Sequence, residues 1–192
     1  MQISSLYKIY QDNPIICTDT RKIQKGSLFF ALKGENFNGN IFASKAIKDG
    51  CNFAIIDDKE FYINNKYILV KNVLKTLQAL ARYHRQQLSI DIIGITGTNG
   101  KTTSKELIYS VLKSKLNCYS TKGNLNNHIG VPLSILEITE KHDIAIIEMG
   151  ANHKKEIEFL CKISKPTYGI ITNIGSAHLE GFKNIQTIID TK

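Results

Sequence analysis

Residues 94–103 form a glycine-rich turn that ends in Gly-Lys-Thr-Thr, and this turn is the feature that most constrains the fold. The mainly apolar run 90–93 before it predicts a buried strand, and residues 103–116 after it predict a helix. Strand, glycine-rich turn, Gly-Lys-Thr and helix in this order are the layout of a phosphate-binding loop. The segment therefore predicts a site for a nucleoside triphosphate.

The residue types of this turn suit phosphate chemistry. Its glycines let backbone N–H groups crowd around phosphate oxygens, and the start of the helix adds a positive dipole end. Lys101 can reach the β- and γ-phosphates, and the Thr102 hydroxyl can ligate Mg²⁺. The general pattern has a glycine five residues before Gly100, where this chain has Ile95. An ordinary strand-to-helix turn is the alternative.

The apolar pattern divides the chain at Asn72. Residues 1–71 form short strands and one short helix, a small α/β unit. From Asn72 onward a helix over 73–84 leads into strands that alternate with helices, and these strands have continuous apolar runs, which predicts a parallel sheet covered on both faces. We therefore expect an α/β fold with a small unit over 1–71 followed by a phosphate-loop domain over 72–192. The predicted strands are 27–32, 53–56, 67–70, 90–95, 117–121, 144–148 and 168–172, and the other predicted helices are 43–49, 103–116, 128–137, 154–163 and one from Ile185.

In helix 103–116 the pattern predicts four buried side chains, namely Leu107, Ile108, Val111 and Leu112.

Polar side chains follow three of the predicted strands, and ligands of parallel sheets bind beyond the carboxyl ends of strands. Glu148 ends strand 144–148, where a carboxylate facing a triphosphate is a natural Mg²⁺ ligand or water orienter, and a helix cap or solvated glutamate is the alternative. His178 lies beyond strand 168–172 and can ligate a metal through a neutral imidazole. Oxygen is the more usual Mg²⁺ partner, and a capping or hydrogen-bonded histidine is the alternative. Asn126 and Asn127 follow strand 117–121 and can donate to phosphate or sugar oxygens, or can simply form a turn.

A fourth polar cluster, Thr18-Asp19-Thr20-Arg21, follows the short apolar run 15–17. A hydroxyl, a carboxylate and a guanidinium within four residues suit an anion such as a diphosphate. Without further context, a plain helix cap and turn is the preferred interpretation.

Composition narrows the class of protein. The chain has 192 residues, of which 42% are hydrophobic and 22% charged, and no apolar run nears the ~20 residues of a membrane span. The N-terminus lacks a signal-peptide layout, so we expect a cytoplasmic protein with no membrane partner. The net charge of +8 comes from lysines spread along the chain, which indicates a lysine-rich solvated surface whose field favours anionic substrates, and not a nucleic-acid binder. The four cysteines form no C-x-x-C pair, which predicts buried free thiols.

Taken together, these motifs resemble the Mur ligase family over essentially the whole chain. The phosphate loop of that family also lacks the first glycine of the general pattern, so Ile95 fits the resemblance. The motifs that carry it are residues 18–22, 30–35, 96–102, 124–132, 148–153 and 172–182.

The resemblance implies a ligase of peptidoglycan precursor synthesis with ATP and Mg²⁺ as cofactors. In the implied reaction ATP phosphorylates the terminal carboxylate of UDP-N-acetylmuramoyl-tripeptide. The amine of D-alanyl-D-alanine then attacks the acyl phosphate, and phosphate leaves as the peptide bond forms. Two metal ions make electrostatic sense where several negative oxygens meet a carboxylate. The implied domains are a UDP-substrate-binding domain over 1–71 and an incomplete ATP-binding domain over 72–192.

The resemblance also implies roles for individual residues. Lys192 matches a lysine that is carbamylated by CO₂ and helps to hold Mg²⁺, which requires a depressed pKa for its amine. The remaining roles fall into four groups: ATP at Gly97, Thr98, Asn99, Gly100, Lys101, Thr102 and Thr103; metal at Thr102, Glu148 and His178; catalysis at Lys101, Glu148, His178 and Lys192; and substrate at Thr18, Asp19, Thr20, Arg21, Asn126 and Asn127.

The family has three domains, and this sequence matches the first and part of the second. We therefore expect that this chain does not ligate by itself, because closure of the third domain is needed for catalysis. We also expect a monomer. Three other hypotheses stay open: another Mur-type ligase or a folylpolyglutamate synthase, a non-catalytic nucleotide-binding module, and, on charge alone, a nucleic-acid binder.

Overall fold

The computed structural model describes residues 1–175 together with residues 189 and 191. Contacts divide the chain into unit 1, Met1–Tyr83, and unit 2, His84–Lys192. Both units are mixed α/β structures with a parallel sheet, which confirms the predicted fold class. The binding roles that the sequence assigns to 1–71 and 72–192 stay predictions.

Unit 1 is built on a four-stranded parallel sheet with a small antiparallel hairpin beside it. Its helices and strands are α1 (Ile3–Asp12), β1 (Ile16–Cys17), β2 (Leu28–Phe30), β3 (Lys33–Gly34), β4 (Phe37–Asn38), α2 (Ala43–Lys48), β5 (Phe53–Ile56) and β6 (Tyr67–Leu69). The sheet order is β1-β2-β5-β6, and β3 pairs with β4. All three residues of the inner strand β2 are buried, as expected for a parallel strand covered on both faces.

Unit 2 contains the second parallel sheet. Its elements are α3 (Val73–Gln87, which begins in unit 1), β7 (Asp91–Thr96), α4 (Lys101–Leu112), β8 (Cys118–Ser120), α5 (Gly130–Leu136), β9 (Ile144–Glu148), α6 (Glu156–Ser164) and β10 (Tyr168–Ile171). The sheet order is β10-β7-β9-β8. The chain passes from β7 to β8, returns to β9 between them, and then crosses to β10 on the other side of β7. The ends of β9 and β10 therefore flank the end of β7, which is where ligands bind in such sheets.

The register of this sheet brings particular residues together. Ile95 of β7 pairs with Glu148 of β9, and Thr96 pairs with Ile171 of β10. The residues that follow β7, β9 and β10 must consequently lie at one edge of the sheet.

Helix α4 is rotated relative to the expectation from its apolar pattern. Leu107 and Val111, predicted to be buried, are 63% and 70% exposed, so that prediction is wrong. Ile108 and Leu112 do pack against the core cluster of β7, β8 and β9, and the buried residue one turn before them is Lys105. Adjacent apolar stripes at 107/111 and 108/112 satisfy helical periodicity equally well, and the loop that starts α4 fixes which stripe meets the sheet.

The C-terminal part of α3 is fixed to unit 2 by side-chain hydrogen bonds. The Arg85 guanidinium donates to the carbonyl oxygens of Ser164 and Leu88, both at 2.9 Å. The His84 Nε2 lies 2.8 Å from the Ile138 carbonyl oxygen, and burial lowers the pKa of this histidine. A neutral imidazole that donates from Nε2 fits both observations.

Two further sequence predictions concern the whole chain. The four cysteines are free thiols, of which three are buried and Cys161 is half-buried. Within the described part of the chain, none of the helices combines the length and hydrophobicity needed to span a bilayer.

Candidate functional site

The turn after β7 has the backbone of a phosphate loop. Gly97 has a φ of +146° and Gly100 a φ of +76°, values that L-residues with a side chain rarely adopt. Gly97 also lies against the end of β10, because a Cβ there would be 2.0 Å from Thr172 Oγ1 and 3.1 Å from Thr172 N. Helix α4 begins directly after Gly100. Residues 97–103, called the phosphate loop below, therefore present a helix N-terminus at the carboxyl end of β7.

Lys101 folds back over this loop. Its Nζ donates to the carbonyl oxygens of Gly97 at 2.8 Å and Thr98 at 3.0 Å. The ammonium is thus held above the backbone that the sequence predicts to surround phosphate oxygens. It can exchange these carbonyl oxygens for phosphate oxygens without leaving the loop.

The residues after β10 hold the phosphate loop in place. The Asn173 side chain pairs with the Asn99 peptide, accepting from Asn99 N at 3.0 Å and donating to Asn99 O at 3.1 Å. Thr172 Oγ1 donates to the same carbonyl oxygen at 2.6 Å. Thr98 is bound on both sides, since its N donates to Asn173 O and its hydroxyl bonds the backbone of Gly175. No role is predicted for Thr172 or Asn173 from the sequence.

Replacing Asn173 with alanine should weaken nucleotide binding about tenfold, because two hydrogen bonds that order the loop, each worth about 0.5–1.5 kcal/mol, are lost. Asn173→Asp should weaken it further, since a carboxylate would face the Asn99 carbonyl oxygen and the phosphates. Calorimetric titration with Mg²⁺·ADP measures both effects. Asn65→Asp, at an exposed asparagine of unit 1, is the charge-matched control. Unchanged affinity in both Asn173 variants would contradict a positioning role for this side chain.

Glu148 lies at the end of β9 with a 2% exposed side chain and is surrounded by donors. Its Oε2 accepts from the Thr102 hydroxyl at 3.0 Å, and its Oε1 accepts from Asn126 Nδ2 at 2.8 Å. Its backbone N donates to Thr121 Oγ1 at 3.0 Å. A further group, the Lys105 ammonium, lies 4.0 Å from Oε2. The carboxylate is therefore held in one orientation beside the first turn of α4.

These residues fit a magnesium ion. Mg²⁺ prefers oxygen ligands and is bound by one or two carboxylates together with substrate phosphates and water. The adjacent Thr102 hydroxyl and Glu148 carboxylate supply two such oxygens. Among the described residues, no group of three or more His, Cys, Asp or Glu side chains could hold a metal ion. The other ligands of an ion at this position would have to be phosphate oxygens and water.

The two asparagines predicted on the substrate side have different surroundings. Asn126 contacts Glu148, and Gly150 leaves room for it, because a Cβ at Gly150 would be 3.2 Å from Asn126 Cγ. Asn127 Oδ1 accepts from the backbone N of Ile129 and Gly130 at the start of α5. Asn126 thus belongs to the surroundings of the Glu148 carboxylate, whereas Asn127 forms a turn just before α5.

The cluster Thr18-Asp19-Thr20-Arg21 lies in unit 1, after β1. The Arg21 guanidinium forms two parallel hydrogen bonds to Asp19, which also accepts from the Arg21 backbone N. The Arg21 side chain holds the pKa of Asp19 at about 2, well below its usual range. Arg21 is 85% exposed, so this pair stabilises the fold little and presents guanidinium donors at the surface.

Two predicted site residues, His178 and Lys192, lie outside the described residues, and so does the helix predicted from Ile185. Besides Thr172 and Asn173, two further residues that lie close to the site, Thr121 and Lys105, were missed from the sequence. Thr121 and Lys105 have no sequence signal beyond their place after β8 and one turn after Lys101.

The fold and the site define a phosphate-loop α/β unit preceded by a smaller α/β unit. Residues 95–192 match the model of the Mur ligase middle domain, and residues 14–85 match that of the Mur ligase family catalytic domain. The chain therefore belongs to the Mur ligase family, as its motifs indicated.

Curated relatives and solved structures agree with this assignment. The chain is 40% identical over 180 residues to UDP-N-acetylmuramoyl-tripeptide–D-alanyl-D-alanine ligase of Bacillus subtilis, a match that covers 92% of this chain and 39% of the relative. The MurF structure from Acinetobacter baumannii superimposes with a TM-score of 0.88 at 34% identity, covering 100% of this chain and 45% of that one. MurF ligase from Thermotoga maritima in complex with ADP matches with a TM-score of 0.84 at 36% identity, covering 93% and 42% of the two chains. The chain thus spans about two fifths of the length of these proteins.

Proposed function

We propose that this chain carries the ATP site and the UDP-substrate site of a ligase that adds D-alanyl-D-alanine to UDP-N-acetylmuramoyl-tripeptide. The observation that carries the proposal is the phosphate loop with Thr102 and Glu148 3.0 Å apart beside it. The relatives named for this reaction, and the Thermotoga maritima neighbour solved with ADP, support it.

In this proposal unit 2 binds the triphosphate of ATP. The backbone N–H groups of the phosphate loop and the dipole of α4 face the phosphate oxygens, and Lys101 donates to the β- and γ-phosphates. Thr102 and Glu148 hold Mg²⁺, which neutralises charge on the phosphate oxygens when it is bound. Asn126 and Thr121 keep the Glu148 carboxylate and its backbone in position.

Unit 1 would bind the uridine diphosphate end of the substrate. The Arg21 guanidinium is paired with the Asp19 carboxylate and exposed at the surface. Planar guanidinium groups suit the oxygens of a diphosphate. Thr18 and Thr20 add hydroxyl groups to the same segment. The roles of Asn127, His178 and a carbamylated Lys192, and the cytoplasmic location, remain part of the proposal on the strength of the family resemblance.

The decisive experiment for the ATP site is a calorimetric titration with Mg²⁺·ADP. The chain should bind it, and Lys101→Ala should weaken the affinity about 100-fold, because the loss of charge-assisted hydrogen bonds to phosphate costs about 1.5–3 kcal/mol. Lys115→Ala, at an exposed lysine just beyond α4, is the matched control and should bind like the unaltered chain. Failure of the unaltered chain to bind Mg²⁺·ADP would refute the ATP site.

A second titration tests the substrate class. UDP-N-acetylmuramoyl-tripeptide should bind, and Arg21→Ala should weaken it, whereas Arg82→Ala on α3 should not. Equal binding by the two arginine variants would remove Arg21 from the substrate site.

A further inference from the structure

Lys105 is a buried lysine beside the proposed metal site. It lies on α4 one turn after Lys101, and its side chain is 1% exposed. Lysine is almost never fully buried unless it is paired. Its Nζ donates to the Thr121 carbonyl oxygen at 2.6 Å and lies 3.0 Å from Glu106 Oε1 and 4.0 Å from Glu148 Oε2.

The two carboxylates near Lys105 are not equivalent. Glu106 is closer, but its side chain is 59% exposed, so water screens its charge. Glu148 is 2% exposed, and the attraction between charges at a given distance is about fourfold stronger in a protein-like dielectric than in water. The buried Glu148 charge is therefore the one that Lys105 compensates most effectively.

This compensation determines what the site offers to a metal ion. Thr102 is neutral, Glu148 contributes one negative charge, and Lys105 contributes one positive charge within 4.0 Å of it. A divalent cation that enters alone meets a site of nearly zero net charge and must lose part of its hydration shell. Mg²⁺ gives up water reluctantly, and phosphate oxygens are its usual additional ligands.

We propose that Lys105 is a positioning and charge-balancing residue that prevents the Thr102–Glu148 site from binding a divalent cation before the nucleotide arrives. Metal then enters together with the phosphates, whose negative charge exceeds that of the single ammonium. Through its hydrogen bond to Thr121, Lys105 also fixes the residue whose hydroxyl holds the Glu148 backbone. The inference rests on the proposed ATP site.

The test is a titration of the nucleotide-free chain with Mn²⁺, in which electron paramagnetic resonance measures the free and bound ion. Lys105→Gln and Lys105→Met should bind Mn²⁺ about tenfold more tightly than the unaltered chain, because a positive charge near the cation is removed. Lys105→Gln keeps a donor for the Thr121 carbonyl oxygen, and Lys105→Arg keeps the charge and should restore the weak binding. A purely structural role predicts the opposite sign, since a disordered carboxylate would bind the cation less well.

Thermal unfolding of each variant shows which of them are folded. A folded Lys105→Gln chain with unchanged or weaker Mn²⁺ affinity would overturn the inference. If both neutral variants fail to fold, the Mn²⁺ affinity of the unaltered chain is compared with and without ADP. It should be at least about tenfold tighter with ADP. Equal affinities would overturn the inference. The Mg²⁺·ADP titration above is independent, so loss of the ATP proposal can be distinguished from loss of this one.

Discussion

Replacing Gly97 with alanine should cost at least about 3 kcal/mol of folding stability and abolish nucleotide binding, because steric overlap and backbone strain act together. The added Cβ would lie 2.0 Å from Thr172 Oγ1 and within 3.2 Å of the backbone N of Thr172 and Asn173. Rotation of the Thr172 side chain relieves only the first contact, and it breaks the 2.6 Å bond to the Asn99 carbonyl oxygen. The backbone of the loop or of the residues after β10 must therefore move.

Gly100→Ala is the matched control for this prediction. Gly100 also has a positive φ, but a Cβ there would have no neighbour within 4 Å. Only the left-handed conformation is penalised, which costs about 1–2 kcal/mol for an L-residue. Urea unfolding with a common m-value measures both differences. Equal losses in the two variants would show that backbone conformation alone sets the cost, and that the contact with the residues after β10 is unimportant.

The sequence predicted the central part of unit 2 well because its signals are local. The turn between β7 and α4 carries its own pattern of glycines followed by Gly-Lys-Thr, and the apolar runs of β7, β9 and β10 are continuous. Glu148 could be selected because a charged residue that ends an apolar strand stands out next to such a turn. The rule that parallel strands present their carboxyl ends at one edge then placed it near the loop.

The features that the sequence did not predict depend on contacts between distant segments. Asn173 pairs with the peptide of Asn99, and nothing in the sequence around either residue specifies the other. The rotation of α4, which buries Lys105 and exposes Leu107, depends on how the loop enters the helix rather than on periodicity. In unit 1, helix α1 and the β3–β4 hairpin were missed, the latter because its strands have only two residues each.

Glu148→Gln is expected to cost about 3 kcal/mol of folding stability, because it leaves the buried Lys105 ammonium without its buried counter-charge. It should also remove the Mg²⁺-dependent part of the ADP affinity, because the carboxylate proposed to hold the ion is lost. Glutamine preserves the volume of the side chain. Its amide nitrogen, however, replaces an acceptor with a donor in a site where Thr102, Asn126 and Lys105 all approach as donors. Calorimetry with ADP, with and without Mg²⁺, and urea unfolding measure the two effects.

Glu106→Gln is the control that separates the effect of a carboxylate's distance from Lys105 from the effect of its burial. Glu106 lies closer to the same Lys105 ammonium, at 3.0 Å against 4.0 Å, but it is exposed to water. Exposed ion pairs contribute about 0–1 kcal/mol, so this variant should stay within about 0.5 kcal/mol of the unaltered chain and keep its Mg²⁺ dependence. If Glu106→Gln is as damaging as Glu148→Gln, separation rather than burial governs the Lys105 interactions, and the role assigned to the Lys105–Glu148 pair is wrong. A large effect at Glu148 alone would show that the ammonium and the carboxylate act as one buried unit beside the phosphate loop.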